Sequence, residues 1–531
     1  MVDEKERGNI IKLYVRYIFI IVILSSFLFS SNNISTHKNM YESKHVSVYT
    51  FEKEIDKIYT DIGNNHTFNA NNCNTYIDNI THFLLIQSGE KFLPLSKQDF
   101  TRLEKRGGII LQKLFLLRLR LRKKFKEFYI QGRVTPACVV KVRMAFRYSR
   151  FIEEFITEIL VNMAQEPIRA NQKNFSQQKY QFYLNPKYKS FHVKSGDILL
   201  VRSSIFVSAV ISRVGDEDGQ FSHGAMIYVD SKGKAYVMEA LIKSGTIITP
   251  YEEWRSKISH HSRALLLRHN DEVLAKKSAL SIYKVINNRL ASKNLIPYDF
   301  AMNASDNREI FCAELIQYAF KLGGDHQIPT FHTSLKSFHN HTFLNELSIV
   351  KEDVFAPGDL EIEPHINLVA EWRNYDLTRQ TRRQDVVQTK ILYWMSEKNY
   401  YLKNTFKSIF GTNLALLASK IGFKRDIIPL NMPYGFINNI IKLNDLNSVL
   451  EDYLLELEKK YLKAHGHSMD YLTMMKEMEK LRKKDCESFI SRKKEMQEKL
   501  YDIETLSKPY QSSKPIFHDH FNTKNGFDCN K

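Results

Sequence analysis

Short apolar runs of strand length lie in the middle of the chain, each bounded by glycine, proline or polar residues. Runs of this length and composition are typical of β-strands. They predict strands at 197–201, 223–229, 235–241 and 264–268. Thr249-Pro250-Tyr251-Glu252 predicts a helix start with a capping box and a proline in the first turn, and 276–290 predicts another helix. A small antiparallel sheet flanked by helices follows from this order, which is an α+β fold.

Helical spacing of apolar residues also covers both flanks of this central region. Between residues 74 and 165, one stripe is formed by Ile110, Leu114, Leu117, Leu121, Phe125 and Phe128. Basic residues lie off the stripe, among them Lys113, Arg118, Arg122, Lys123 and Lys126. From 376 to 506, two further stripes are separated by His465-Gly466-His467, which predicts a helical hairpin with coiled-coil-like spacing. We expect packing or self-association from this C-terminal pair.

An apolar segment near the start of the chain predicts export. Its core, Tyr17 to Phe29, is short for a membrane-spanning helix but suits the core of a signal peptide. Basic residues precede it, so the positive-inside rule would leave the bulk of the chain outside the cytoplasm. Whether residues 1–31 are cleaved or kept as an anchor stays open, and a buried N-terminal helix is the alternative.

These patterns divide the chain into six segments. They are a signal peptide or membrane anchor at 1–31, a polar linker at 32–73, a basic helical region at 74–170, the central α+β domain at 191–368, a C-terminal helical region at 376–506 and a loose tail at 507–531. With 531 residues the chain is too long for one ordinary core, which agrees with several domains.

Positive charge is concentrated in one part of the chain. The sequence has 77 basic and 59 acidic residues, a net charge of +18. Residues 101–150 hold 15 lysines and arginines, with Glu104 and Glu127 as the only acids. A basic surface attracts anionic partners, and because no nucleic-acid-binding motif is present we expect an anionic membrane surface and no nucleic acid. The alternative is that these helices pack on a neighbouring domain and expose a solvated charged face.

The five cysteines are widely spaced, at 73, 138, 312, 486 and 529, and form no CxxC motif or zinc pattern. This spacing does not imply a disulfide framework, and an odd count leaves at least one thiol free. The pairs in His339-Asn340-His341 and His465-Gly466-His467 lack convergent cysteine or acidic partners, so we interpret them as loop residues. We therefore expect no metal and no organic cofactor.

One of these cysteines has the surroundings of a nucleophile. Cys312 comes at the front of an amphipathic helix that continues through Leu315, Ile316 and Ala319. Backbone N–H groups and the helix dipole favour the thiolate at that position. Because a lone helix cysteine is more often buried and inert, the assignment depends on upstream polar partners.

Two polar residues inside strand-like runs are the candidate partners, His223 and Glu239. Residues 230–234, between the two strands, predict a tight hairpin turn. A two-residue loop would place Glu239 on the opposite face from His223. A three-residue loop with Gly233 left-handed places both on one face, one diagonal step apart. The carboxylate could then orient the imidazole, which would complete a set of nucleophile, base and orienter.

Six short motifs follow one another along the central domain. They are Gly196-Asp197-Ile198-Leu199-Leu200, Ser222-His223-Gly224-Ala225-Met226-Ile227, Val237-Met238-Glu239-Ala240, Pro297-Tyr298-Asp299-Phe300, Phe311-Cys312-Ala313-Glu314-Leu315 and Ala356-Pro357-Gly358-Asp359-Leu360. As an ordered set, from about His192 to Leu368, they resemble the permuted papain-like cysteine hydrolases of the YiiX/YaeF-like group, within the NlpC-type superfamily. Histidine precedes cysteine, as in that group, and Ala313 stands where serine is common in relatives. The resemblance covers about a third of the chain.

The resemblance implies a cysteine-dependent hydrolase or acyltransferase that acts on amide or ester bonds. Cys312 would be the nucleophile, His223 the base and Glu239 its orienter, and the Cys312 N–H would help to bind the oxyanion. Lipids, peptides and cell-wall fragments are the candidate substrates. Two alternatives stay open: a catalytically idle module that binds lipid or peptide in the same groove, and a membrane-anchored scaffold whose function lies in its helical flanks.

Overall fold

A computed structural model describes most of the chain. The described residues are 46–63, 73–86, 95–162, 180–215, 218–257, 260–304, 306–336, 341–349, 351–422, 428–499 and 517–530. The predicted signal peptide or anchor at 1–31 lies outside them. Within them, no helix has both the length and the apolar composition needed to cross a bilayer.

Helices form most of the two flanks and cover the central sheet. Their bounds are α1 Val48–Gly63, α2 Cys73–Ile86, α3 Lys97–Ile130, α4 Pro136–Asn162, α5 Phe206–Ile211, α6 Tyr251–Ser256, α7 Glu272–Ala291, α8 Cys312–Gly323, α9 His341–Glu346, α10 Thr378–Glu397, α11 Phe406–Lys420, α12 Tyr434–His465 and α13 Tyr471–Lys499. Local sequence signals explain where several of these helices begin or end. The Ser96 hydroxyl and the Asp99 carboxylate form a reciprocal capping box at the start of α3, and left-handed Gly466 ends α12.

The strands form one large sheet and two short pairs. Their bounds are β1 Tyr180–Leu184, β2 Ile198–Ser203, β3 His223–Val229, β4 Ala235–Leu241, β5 Gly245–Pro250, β6 His261–His269, β7 Thr333–Ser334, β8 Asp353–Val354, β9 Ile366–Asn374, β10 Tyr401–Leu402 and β11 Phe521–Asn522. The large sheet has the order β1-β9-β6-β2-β3-β4-β5, and each neighbouring pair is antiparallel. The predicted α+β class with an antiparallel sheet and helical flanks is confirmed.

The sheet is wider than predicted. The four predicted strands correspond to β2, β3, β4 and β6, while β1, β5 and β9 have no counterpart in the prediction. The predicted capping box at Thr249 is wrong, because Thr249 pairs with Val237 in the β4–β5 ladder. The helix α6 does follow, but it begins at Tyr251 with no side-chain cap hydrogen bond.

The hairpin between β3 and β4 has the loop length that the candidate chemistry requires. Val229 pairs with Ala235 and Met226 with Met238, so the same register places His223 opposite Leu241. The Asp230 N–H donates to the Lys234 carbonyl at 2.9 Å, and Gly233 has φ +79°. The loop therefore has three residues, and the alternative two-residue loop is excluded.

The N-terminal helices pack as a layer whose apolar stripe lies inside the protein. The predicted stripe on α3 is buried, with Ile110 and Leu114 each 0% exposed. Within the predicted linker at 32–73, α1 is structured: it buries Phe51 and Ile55 and packs on α3. The interpretation of this region as part of a domain layer is thus favoured over a membrane-bound helix pair.

Buried ion pairs join these helices to the sheet. Glu371 of β9 accepts hydrogen bonds from Arg118 of α3 at 2.9 Å and from Arg373 at 2.9 Å, and Arg150 of α4 lies at 3.4 Å. Two further carboxylates complete the cluster, since Glu153 contacts Arg118 and Arg373 and Glu361 contacts Arg150. We call these six residues the Glu371 cluster. Its arginines come partly from the basic segment 101–150, whose charge is therefore partly used inside the protein.

The C-terminal region is held to the domain in the same way. Asp385 of α10 pairs with Arg202 of β2 at 2.6 Å and with Arg213 at 2.9 Å, and all three side chains are buried. The helices α12 and α13 form the predicted hairpin around Gly466, but each packs on α10, which separates them. The coiled-coil interpretation is therefore not supported, and self-association stays a prediction.

The tail and the cysteines differ from the predictions. Phe517 and Phe521, in the segment predicted to be loose, are each 2% exposed and pack on Trp394. Disulfides join Cys73 to Cys138 and Cys486 to Cys529, although the wide spacing did not suggest them. The first links α2 to α4 and the second fixes the tail to α13. Cys312 is left as the free thiol, as the odd count predicted.

We expect that Glu371→Gln destabilises the protein by about 3–5 kcal/mol, because it leaves three buried guanidinium groups with two carboxylates instead of three and so an uncompensated buried charge. Burial opposes ionisation of Glu371, but the three arginines lower its pKa. Wild-type stability should therefore fall as the pH drops below the ordinary glutamate pKa of about 4.3. Urea unfolding at several pH values measures both effects. The control is Glu253→Gln, which removes an exposed pair with Lys257. Equal loss in both variants would contradict the assignment.

Candidate active site

Cys312 is the first residue of α8, and its side chain is 4% exposed. The preceding residue, Phe311, is extended, and its N–H donates to the Glu314 carboxylate at 3.2 Å, which fixes the helix start. The Cys312 thiol receives hydrogen bonds from the backbone N–H groups of Gly224 and Ala313. The predicted setting at a helix N-terminus is therefore the one observed.

A glycine in β3 lets α8 approach the histidine strand. A Cβ atom at Gly224 would lie 2.8 Å from Ile316 Cδ1, which is closer than side chains pack. With hydrogen there instead, α8 lies directly on β3 and the Cys312 Sγ atom is 4.0 Å from the Ser222 carbonyl oxygen. This contact places the thiol beside His223, the first residue of β3.

The three predicted site residues come together. His223 Nε2 lies 3.0 Å from Glu239 Oε2, and the imidazole also hydrogen-bonds the Cys312 thiol. Because Nε2 faces the carboxylate, Nδ1 is the nitrogen available to the sulfur. Glu239 is 6% exposed and sits on the same face of the hairpin as His223, as the three-residue loop requires. The charges on the imidazole and the carboxylate then determine whether the thiol is ionised.

The electrostatics favour an ion pair between the thiolate and the imidazolium. Burial opposes both charges, since it raises the pKa of the thiol and lowers that of the imidazole. The mutual hydrogen bond and the Glu239 carboxylate outweigh it, so the pKa of His223 rises to about 10 and the pKa of Cys312 is lowered. A thiol with this environment is a nucleophile at neutral pH.

Two residues near Cys312 were given no role in the analysis of the sequence. The Tyr298 hydroxyl hydrogen-bonds Cys312, and its pKa is raised well above 10, by burial first and then by the neighbouring thiolate and carboxylates. It therefore remains a hydrogen-bond donor. His261 of β6 lies near His223, and burial together with the His223 charge lowers its pKa to about 3. Tyr298 lies in a motif that carries the family resemblance, whereas no pattern around His261 indicates the site.

An apolar cavity of about 60 Å³ opens onto the sulfur. Its walls combine Cys312 and Tyr298 with aliphatic and aromatic side chains from several elements, among them Val210, Met302, Phe355, Phe436, Ile440 and Leu443. The last three belong to α12, so the C-terminal region forms part of the wall. The space is several times what one water needs but is smaller than the roughly 300–1,000 Å³ of most ligand pockets.

A larger cavity of about 490 Å³ lies elsewhere, between α3 and the start of β9. Its lining includes Arg120, Lys123 and Lys126 but no cysteine, serine or histidine. It therefore lacks a thiol beside an imidazole, the arrangement found at Cys312 and His223. Among the described residues, no group of histidine, cysteine and acidic side chains is arranged to hold a metal ion.

The comparison with protein families agrees with this geometry. Residues 192–369 match the family described as permuted papain-like amidase enzyme, YaeF/YiiX, C92 family. This part of the chain is a permuted papain-like domain. The match supports a hydrolase of the amidase or peptidase type. The matched range ends before most of β9 and excludes β1, α1 to α4 and α10 to α13. No curated protein and no solved structure matches the chain.

The ion pair predicts how the thiol reacts. Iodoacetamide should label Cys312 at pH 6–7, where an ordinary thiol of pKa about 8.5 is mostly protonated. The rate should stay level until the pH approaches the imidazolium pKa of about 10. In His223→Ala, burial of the thiol is opposed only by the two backbone N–H groups and no longer by an imidazolium, so labelling at neutral pH should fall at least about ten-fold and recover in alkali.

Labelling is measured by mass spectrometry of the peptide that contains Cys312. Glu239→Gln should lower the rate less than His223→Ala, and Glu252→Gln, which changes an exposed carboxylate, serves as the matched control. If His223→Ala reacts as fast as the wild type at neutral pH, the imidazole is not the group that activates Cys312.

Proposed function

We propose that the protein is a cysteine hydrolase that cleaves an amide or ester bond by acylation of Cys312. The hydrogen-bonded arrangement of Cys312, His223 and Glu239 carries this proposal. It is supported by the lowered pKa of the thiol and the raised pKa of the imidazole, which together describe a thiolate held ready beside an acid. The match of residues 192–369 to an amidase family supports the same reaction class.

The proposed reaction has two halves. The Cys312 thiolate attacks the carbonyl carbon and forms a C–S bond, and the carbonyl oxygen becomes an oxyanion. The N–H of Cys312 and the Tyr298 hydroxyl are the donors that we assign to this oxyanion. His223 gives its proton to the leaving nitrogen or oxygen, and the bond to the leaving group breaks. Water, deprotonated by His223, then attacks the thioester and releases the acid and the free thiol.

Glu239 acts through His223. Its carboxylate, 3.0 Å from Nε2, stabilises the imidazolium and keeps Nδ1 directed toward the sulfur. It is thus a positioning residue, and its loss should lower the rate without removing the reaction. An alcohol or amine could replace water in the second half, which would make the enzyme an acyltransferase. The ratio of acid to transferred product, measured with added amine, distinguishes the two.

The apolar cavity supports an acyl group as the part of the substrate held next to the sulfur. Its walls near Cys312 are almost entirely aliphatic or aromatic, so a charged or sugar-like group there would lose its hydration without compensation. The volume of about 60 Å³ accommodates a short apolar group, and a long chain requires the wall side chains to move. A lipid or another acylated compound therefore fits this site better than a cell-wall sugar.

The two disulfides support the proposed location outside the cytoplasm. Structural disulfides persist in oxidising compartments and are rare in the reducing cytosol. Cys73–Cys138 and Cys486–Cys529 lie in the two helical flanks, on either side of the domain that carries the free thiol. Together with the apolar segment at 17–29, they favour an exported or membrane-anchored protein.

A trapped acyl-enzyme tests the reaction. The wild type mixed with p-nitrophenyl butyrate should gain the mass of one butyryl group on Cys312, and hydroxylamine should remove it. Cys312→Ser should show no adduct, and His223→Ala should hydrolyse the ester about 10²–10⁴-fold more slowly. Glu252→Gln should match the wild type. Absence of an adduct, with labelling of Cys312 no faster than that of free cysteine, would instead identify an idle binding module.

The scaffold alternative makes the opposite prediction for the whole protein. If the helical flanks carried the function, Cys312→Ser would leave the biological activity intact. The hydrolase requires that it abolish that activity.

The contribution of α12 to the cavity predicts a change in chain-length preference. Each buried methylene contributes about 0.8 kcal/mol, so wild-type kcat/KM should rise about four-fold per carbon until the cavity is filled. Ile440→Trp should end this rise at a shorter acyl chain while acetyl ester hydrolysis continues. Tyr453→Trp, on α12 but outside the cavity lining, is the control. An unchanged chain-length profile in Ile440→Trp would show that the acyl group binds elsewhere.

A further inference from the structure

The helix α11 exposes its apolar residues and buries its polar ones. Phe406, Phe410, Leu414 and Leu417 recur at helical spacing and are 83%, 56%, 54% and 57% exposed. The opposite face carries Ser408, Thr412 and Ser419, which are at most 1% exposed. This is the reverse of an ordinary surface helix, whose apolar stripe faces the core.

The buried hydroxyls are satisfied, so the orientation of the helix is stable. The Thr412 hydroxyl donates to the Ser408 carbonyl at 2.7 Å, and the Ser419 hydroxyl donates to the Ile428 carbonyl at 2.6 Å. A capping box between Thr405 and Ser408 starts the helix. The inward face therefore has no unmet polar group that rotation of the helix would satisfy.

The apolar surface continues beyond the helix. Ile421 and Leu430 are 73% and 62% exposed, and Ile409 is 43% exposed. Of the 17 large apolar residues exposed in the described part of the chain, seven lie between 406 and 430. We call these seven the α11 surface: Phe406, Ile409, Phe410, Leu414, Leu417, Ile421 and Leu430. Exposed apolar side chains grouped along one helix face in this way indicate an interaction site.

Charge around the α11 surface favours an anionic bilayer as its occupant. Residues 403–422 contain three exposed lysines, Lys403, Lys407 and Lys420, and no aspartate or glutamate. Lys407 pairs with Asp445 of α12 at 2.6 Å, so the excess of positive charge comes from Lys403 and Lys420. An amphipathic helix with an apolar face and lysines at its edge lies in the interface of anionic membranes, with the apolar face among the acyl chains. A second protein surface would not require this excess of positive charge.

The helix α11 is linked to the cavity of Cys312 through α12. A Cβ atom on Gly411 would lie 3.3 Å from Ile441 Cδ1 of α12, and Ile440 of the same helix lines the cavity. The connection to α12 contacts the catalytic domain directly, since the Asn431 amide donates to the Tyr298 carbonyl at 2.9 Å. A membrane in contact with α11 would therefore be one helix layer from the apolar site that we assign to the acyl group.

We propose that α11 is a membrane-docking helix that inserts the α11 surface into an anionic lipid interface. The basic helices of the N-terminal layer, which the sequence suggested for this role, instead bury their apolar stripe within the protein. The proposal deepens the proposed function because it names an interfacial lipid as the source of the acyl group. Docking itself does not depend on catalysis.

Vesicle binding by the full chain tests the proposal. Cosedimentation with phosphatidylcholine vesicles that contain phosphatidylglycerol should be strong, and weaker with phosphatidylcholine alone. Phe410→Ser combined with Leu414→Ser should lower the partition coefficient at least about ten-fold, because two apolar side chains that enter the bilayer are lost. Val273→Ser, which removes an apolar side chain that is 80% exposed on α7, is the control. No binding by the wild type, or equal binding by the double variant, would overturn the proposal.

A local probe separates α11 from any other attachment to the vesicle. Phe410→Trp adds a tryptophan to three that are buried, and brominated phospholipid should quench the added fluorescence. Lack of quenching would overturn the proposal. A different result would also overturn it: the wild type forms a dimer in light scattering, the double variant does not, and neither binds vesicles. A second copy of the chain would then cover the α11 surface. If Phe410→Trp combined with Cys312→Ser is quenched while the wild type hydrolyses no ester, the docking proposal stands and the proposed function is rejected.

Discussion

The arrangement of this protein depends on charges buried at the contact between its sheet and its helices. Glu371 lies on β9 and contacts arginines from two N-terminal helices, while Asp385 lies on α10 and contacts arginines from the sheet side. Each carboxylate is compensated by more than one guanidinium, which is the condition under which buried charges are tolerated. Both flanks are therefore attached to the permuted papain-like domain by directional contacts that allow few alternative positions.

That attachment gives the flanks a direct relation to the chemistry. Because α10 is fixed to the sheet, α12 packs on it and reaches the cavity beside Cys312 with Phe436, Ile440 and Leu443. A papain-like domain alone would lack this wall. The part of the chain that the family match does not cover thus helps to define the space next to Cys312.

Several features could be predicted from the sequence because their signals are local. The strands that carry His223 and Glu239 and the helix that begins at Cys312 are specified by short patterns, whereas the sequence left two or three residues possible for the loop before β4. The strands β1 and β9 were missed because the pairing partners of each come from distant parts of the chain. The charge on α3 suggested a membrane surface because periodicity alone cannot show that Arg118 meets Glu153 and Glu371.

The turn between β3 and β4 makes the candidate site sensitive to loop length. Successive side chains of a strand point to opposite faces, so one residue added to or removed from 231–233 would reverse the parity of the hairpin. Glu239 would then point away from His223, and the buried Val237 and Met238 of β4 would exchange faces. A single-codon insertion here could therefore separate the carboxylate from the imidazole with all three site residues unchanged, so loop length is as informative as residue identity when sequences that match this family model are compared.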